Sequence, residues 1–127
     1  MKKIVLLIGL LGMSLFAEMT PEKYYELELK AQEITFEGKE MQLSCAQRKC
    51  LLSEIYNIDG EYQSKVSNLY TQYGTTPSKI IVYYTHNEKK INQYLSENIA
   101  LQNKLDENLE KFEAKSQQIE NQIEENQ

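Results

Sequence analysis

Tryptophan is absent from this chain of 127 residues, histidine occurs once, and cysteine and proline occur twice each. These shortages exclude a good deal of chemistry. His86 has no second imidazole or cysteine pair close by in the sequence, which makes it a poor transition-metal site. No glycine-rich phosphate loop is present, and no serine has a base and an orienting carboxylate around it. The expectation is therefore a protein that is not an enzyme, with no catalytic residue, no metal and no cofactor. Glycine is scarce as well: of five, Gly9 and Gly12 lie in the first seventeen residues, so the remainder has few helix breakers. Positive charge is short too. Fourteen Lys and Arg face nineteen Asp and Glu, for a net charge of −5. A chain this acidic on average gives no reason to expect nucleic acid or anionic lipid as a partner. No apolar run beyond Phe16 is long enough for a bilayer span.

What the N-terminus does contain is Met1-Lys2-Lys3, then an almost wholly apolar stretch from Ile4 to Phe16, then Ala17 before the polar Glu18. That order reads as a secretory signal peptide over residues 1–17, cut after Ala17. Leu15 is larger than usual at its position before the cut, and an uncleaved anchor is the competing reading. Removing these residues takes two lysines and no acidic group, leaving twelve basic against nineteen acidic side chains, a net of −7. Residues 18–127 suit one small domain in a periplasmic or secreted setting.

Within that domain the Gly74-Thr75-Thr76-Pro77 stretch reads as a turn. Gly74 suits the left-handed residue past a helix end, and Thr76-Pro77 is a cap followed by a favoured first helical residue. Thr20-Pro21 repeats the start signal. From Tyr24 to Tyr73, steps of three and four residues run through Leu27, Ala31, Ile34, Gly38, Met41, Cys45 and Leu52. From Ile81 to Ile123 the same rhythm resumes. The pattern predicts an all-α fold: a long antiparallel coiled-coil hairpin, segment one about 21–73, turn 74–77, segment two about 77–125. Folding at the turn sets Leu27 opposite Ile123, Gly38 opposite Phe112 and Cys45 opposite Leu105. Alternation around Gly38, in 33–36 and 40–43, competes as a short β-hairpin. The helical rhythm continues on both sides of the glycine, which favours helix, with an interruption expected near 38–50.

A second stripe, Leu29, Phe36, Leu43 and Cys50, repeats every seven residues away from the first. One helical neighbour cannot cover both. Either a second molecule takes it, or the segment bends and folds it inward. A hairpin this narrow buries little surface, so pairing of two chains into a four-helix bundle is expected.

Cys45 and Cys50 belong to an oxidising compartment if the leader is a signal peptide. Five residues of unbroken helix separate the Cα atoms by about 7.5 Å along the axis, too far for a disulfide. Either the helix breaks at Ala46-Gln47-Arg48-Lys49 and the bond closes within the chain, or it joins two chains, or the thiols stay reduced or redox-active. Tyr62, Tyr70, Tyr73, Tyr83, Tyr84 and Tyr94 gather on both sides of the turn. Such a set makes either a protein-binding patch or a wide core with its hydroxyls reaching water.

The functional expectation is an exported protein-binding helical adaptor, assembly factor or chaperone-like protein of the bacterial envelope. Its partners would be a second copy and an envelope protein, met through Tyr62, Tyr70, Tyr73, Tyr83, Tyr84, Leu29, Phe36 and Leu43. A self-associating spacer and a small-ligand-binding bundle are the alternatives.

Overall fold

A computed structural model describes residues 18–127. The expected signal peptide lies outside the described residues. Four helices follow one another: α1 Pro21–Gln47, α2 Leu52–Gln72, α3 Pro77–Ser96 and α4 Ile99–Glu125. Both Thr-Pro signals start helices as the sequence implies. The Thr20 hydroxyl accepts from the Lys23 amide at 3.1 Å and the Thr76 hydroxyl from the Lys79 amide at 3.2 Å. Each cap satisfies an N–H that the first turn leaves unpaired. α1 runs unbroken through Gly38, so residues 33–43 are helical and the short β-hairpin is set aside.

Two of the connections are the same turn made from different chemistry. After α2, Gly74 has φ 69°, its amide bonds to the Thr71 carbonyl, and the Thr75 amide reaches back to the Tyr70 carbonyl. After α1, Lys49 takes the left-handed role at φ 60°, its amide bonds to Ala46, and the Cys50 amide reaches back to the Cys45 carbonyl. Both are Schellman closures. The third connection is tighter: Asn98 directly precedes α4, and its side-chain amide donates to the Tyr94 carbonyl at 2.6 Å.

α1 is the element on which the others pack. α2 returns antiparallel along one side: Leu27 and Ala31 cluster with Leu69, Gly38 meets Tyr62, and Cys45 and Ala46 cluster with Ile55. α4 lies along a second side and runs parallel to α1. Gln32 accepts from Asn108 at 2.7 Å, Lys39 donates to Ser116 at 2.9 Å, and the Ala46 carbonyl accepts from Asn126 at 2.8 Å. α2 and α4 make little direct contact with each other. The expected pairing of two long halves is therefore corrected. Leu27 packs on Leu69 rather than Ile123, Gly38 on Tyr62 rather than Phe112, and Ile123 joins the Cys45 cluster. The physical reason is the break at Arg48–Leu51. It lets α2 claim the first apolar stripe of α1, and α4 is left with the second, through Phe36 against Phe112 at 6.0 Å between ring centroids.

α3 lies across the end of this layer. Ile80 packs on the Leu27–Leu69 cluster, Tyr84 on Tyr24, and Tyr94 on Tyr25. From Ile80 to Tyr94 the helix advances about 21 Å, yet its neighbours on α1 stay within the first three turns. Asn87, at φ −128° and ψ 22°, kinks α3 midway. Its side chain donates to the Tyr83 carbonyl at 2.9 Å and covers the disturbed turn.

The α1–α2 approach at Gly38 makes a sharp prediction. A Cβ there would stand 2.9 Å from Tyr62 Cβ and 2.8 Å from Tyr62 Cγ, atoms next to the backbone that cannot swing clear. Gly38→Ala should lower unfolding stability by about 1–3 kcal/mol, overpacking outweighing the helix-propensity gain. At Gly60 an added methyl would meet nothing within 4 Å, so Gly60→Ala should raise stability by up to about 1 kcal/mol. Urea titrations of the two variants against wild type check both signs.

Candidate functional site

Two places gather the side chains that the sequence singles out, at opposite ends of α1. The first is the tyrosine end. Tyr24 packs edge-on to Tyr25 at 5.1 Å, and against Tyr84 and Tyr83 at 5.9 and 6.1 Å. Tyr25 stacks on Tyr94 at 6.0 Å. Tyr73 donates its hydroxyl to Glu26 at 3.0 Å, and Lys30 pairs with the same carboxylate at 3.2 Å. These two donors, Lys30 first, hold the Glu26 carboxyl below its usual value. Burial pushes the Tyr24 hydroxyl up to about 12, with the Glu28 carboxylate adding to the effect. Burial likewise raises Tyr25, Tyr70 and Tyr83. The rings form a packed cap, Tyr25 buried and the others partly covered.

Tyr70, Tyr73, Tyr83, Tyr84 and Tyr94 do meet at this end, each partly covered. Tyr62 does not: it is buried midway along α2 against Gly38, its hydroxyl pointing to Glu37 at 3.5 Å, and it cannot serve as a docking residue. Phe36 is covered by Phe112, and Leu29 and Leu43 are partly buried on α1. Tyr24 and Tyr25 are central to the cap but lie far from the turn in the chain, so clustering along the sequence does not reveal them. The signal that does is their place in the first turns of a helix whose partner ends at Tyr73.

The second place is the turn between α1 and α2. Cys45 and Cys50 form an intrachain disulfide with Cα atoms 5.4 Å apart. The helix break expected at Ala46–Lys49 is what closes this distance. In a Schellman turn the residues two positions past the cap and three before it commonly touch through apolar side chains; here Cys50 and Cys45 occupy those positions and are joined covalently. Glu54 accepts from the Leu51 amide at 3.3 Å and steadies the start of α2. Cys45, Cys50 and Glu54 offer possible ligand atoms within 4.8 Å of one another. The sulfurs are bonded to each other, however, and a metal takes thiolate, so the oxidised turn is a clasp.

Shallow grooves flank the helices. One of about 150 Å³ lies between α1 and α4, lined by Gln32, Phe36, Asn108 and Phe112. Among the described residues, no helix is long and apolar enough to cross a membrane. Comparison with protein-family models, with curated proteins and with solved structures found no match.

The clasp and the cap each yield a test. Cys45→Ser with Cys50→Ser should cost about 2 kcal/mol of stability through the freed loop. Adding Lys49→Gly should recover about 1 kcal/mol, because glycine adopts the left-handed backbone without penalty. Urea unfolding of the two variants measures both steps. For the cap, the raised tyrosine values mean that the folded state holds these protons more tightly than the unfolded one. Stability should be intact below pH 10 and fall as pH rises from about 10 toward 12. Ultraviolet difference absorbance should show Tyr24→Phe losing the latest-ionising hydroxyl.

Proposed function

We propose that this is an exported protein-interaction module of the bacterial envelope, periplasmic or secreted, of the adaptor, assembly-factor or client-holding kind, and that it self-associates. The observation that supports the reading is an apolar edge beside the disulfide turn. Leu51, Leu52 and Tyr56 are 68%, 43% and 65% exposed, grouped around the start of α2. Leu52 and Tyr56 are one helical turn apart and share a face. The disulfide and the Glu54 bond hold this edge rigid, which lowers the ordering cost of binding through it.

An open layer supports self-association. α2 and α4 flank α1 without closing on each other, and the Leu109 side chain of α4 is exposed as well. A second copy set against this layer would complete a helical bundle and bury the surface that a chain this size leaves in water. Export rests on the Met1–Ala17 pattern and agrees with a cysteine pair in its oxidised form.

A photo-crosslinker at Tyr56, activated in intact cells, tests the edge. A covalent adduct with a second copy or with an envelope protein is the expected result. Leu51→Ser with Leu52→Ser should abolish it. No adduct above that of a crosslinker placed at Ser64 would reject the edge as an interface.

A further inference from the structure

The average acidity of the chain conceals one exception. α3 carries Lys79, Lys89 and Lys90 against Glu88, a net of +2, whereas α1 has three lysines against six glutamates, α2 one against three acids, and α4 three against seven. It is the one described helix with net positive charge. The absence of a reason for anionic lipid, taken from total charge, therefore does not extend to this element.

The exception has a defined face. The inward side of α3 is Ile80, Tyr84, Asn87, Ile91 and Tyr94, with Ile91 fully buried. Turned by half a helix from that side are Val82, His86 and Lys89, bordered by Lys79 and Lys90. All five are exposed. Val82 stands among them, 55% exposed, whereas Ile81, 67% exposed, flanks the other edge of this face beside Glu88, about 160° round the helix from Lys79. A helix whose outer face is basic with one exposed valine, opposite a buried face, suits the surface of an anionic bilayer.

Placement agrees with composition. α3 packs on the first turns of α1, and its outer face is turned away from that contact. α1 extends about 40 Å; its Glu22, Glu26 and Glu28 lie in the turns nearest α3, whereas Glu33, Glu37 and Glu40 stand beyond the screening length of about 8 Å in physiological salt. The chain leading from the apolar Ile4–Phe16 run also enters here, since Met19 packs on the same cluster as Ile80.

We infer that the outer face of α3 docks on an anionic lipid bilayer, with Val82 entering the interface and Lys79, Lys89 and Lys90 facing lipid phosphates. This leaves the Leu51–Leu52–Tyr56 edge at the far end, and it holds whether or not that edge binds protein.

The test uses protein purified as cells export it, its N-terminus fixed by mass spectrometry, in flotation with two kinds of vesicle. Binding is expected to vesicles of phosphatidylcholine mixed with phosphatidylglycerol, to weaken as salt is added, and to be much weaker with phosphatidylcholine alone. Lys79→Gln, Lys89→Gln and Lys90→Gln together should lower the affinity by about two orders of magnitude, roughly fivefold per lysine. Arg48→Gln with Lys49→Gln, at the opposite end, should leave it unchanged. Circular dichroism confirms that each variant folds. Because the chain lacks tryptophan, Val82→Trp supplies a single reporter, whose emission should shift to the blue on phosphatidylglycerol vesicles only. Equal binding to both vesicles, indifference to the triple substitution, or an unshifted reporter would overturn the inference. So would binding of a polyglutamate peptide that competes fully with the vesicles, which would assign the face to an acidic protein.

Discussion

α1 has an apolar surface too wide for any single helical neighbour, and the architecture follows from that. Its first stripe takes α2 through Leu27, Ala31, Gly38 and Cys45. Its second stripe takes α4 through Phe36, and side-chain hydrogen bonds from Gln32 and Lys39 fix the register. α2 and α4 make little contact with each other, and the layer stays open on that side. Burial is accordingly divided into two small clusters at the ends of α1, with the Gly38–Tyr62 contact between them. A fold with so little core relies more than usual on how its turns are held.

The turns show two solutions to one backbone problem. Past α2, Gly74 enters the left-handed region at no steric cost. Past α1 a lysine does so, at a cost of about 1–2 kcal/mol for an L-residue, and the Cys45–Cys50 bond spans that very turn. The covalent clasp replaces the apolar contact that usually accompanies such a closure. It also keeps Leu51, Leu52 and Tyr56 in a fixed pose at the edge of the molecule.

Two distinct surfaces lie at opposite ends of α1. At one end lie the clasp and the exposed edge; at the other, the tyrosine cap and the basic face of α3. The tyrosines serve chiefly to seat α3: Tyr24, Tyr25, Tyr84 and Tyr94 pack ring against ring, and the lysines are pushed outward as a consequence. An envelope protein with a lipid-facing base and a protein-facing edge would hold a partner about the length of α1 from the membrane.

Local chemistry was legible in the residues. Thr20-Pro21, Gly74 and Thr76-Pro77 mark helix ends because capping and left-handed backbone are short-range requirements. The steric limit on a disulfide within a helix left a break within Ala46–Lys49 or a bond between two chains as the alternatives. The turn at Glu97–Asn98 was not legible, since it contains neither glycine nor proline and the three-four rhythm passes through it undisturbed. Partner choice was not legible either. A repeating apolar pattern is satisfied by many registers and by either direction of approach, so Leu27 suits Ile123 by pattern as well as it suits Leu69 in space. The amino-acid order by itself determined helices and caps, because each depends on neighbours a few residues apart, whereas closure of the disulfide within the chain was decided by the structure. Only the tertiary structure decided that α4 runs parallel to α1, that Tyr62 is buried, and that α3 turns its lysines outward. Those depend on which of several equally apolar faces meet, a choice made by the summed packing of the whole chain.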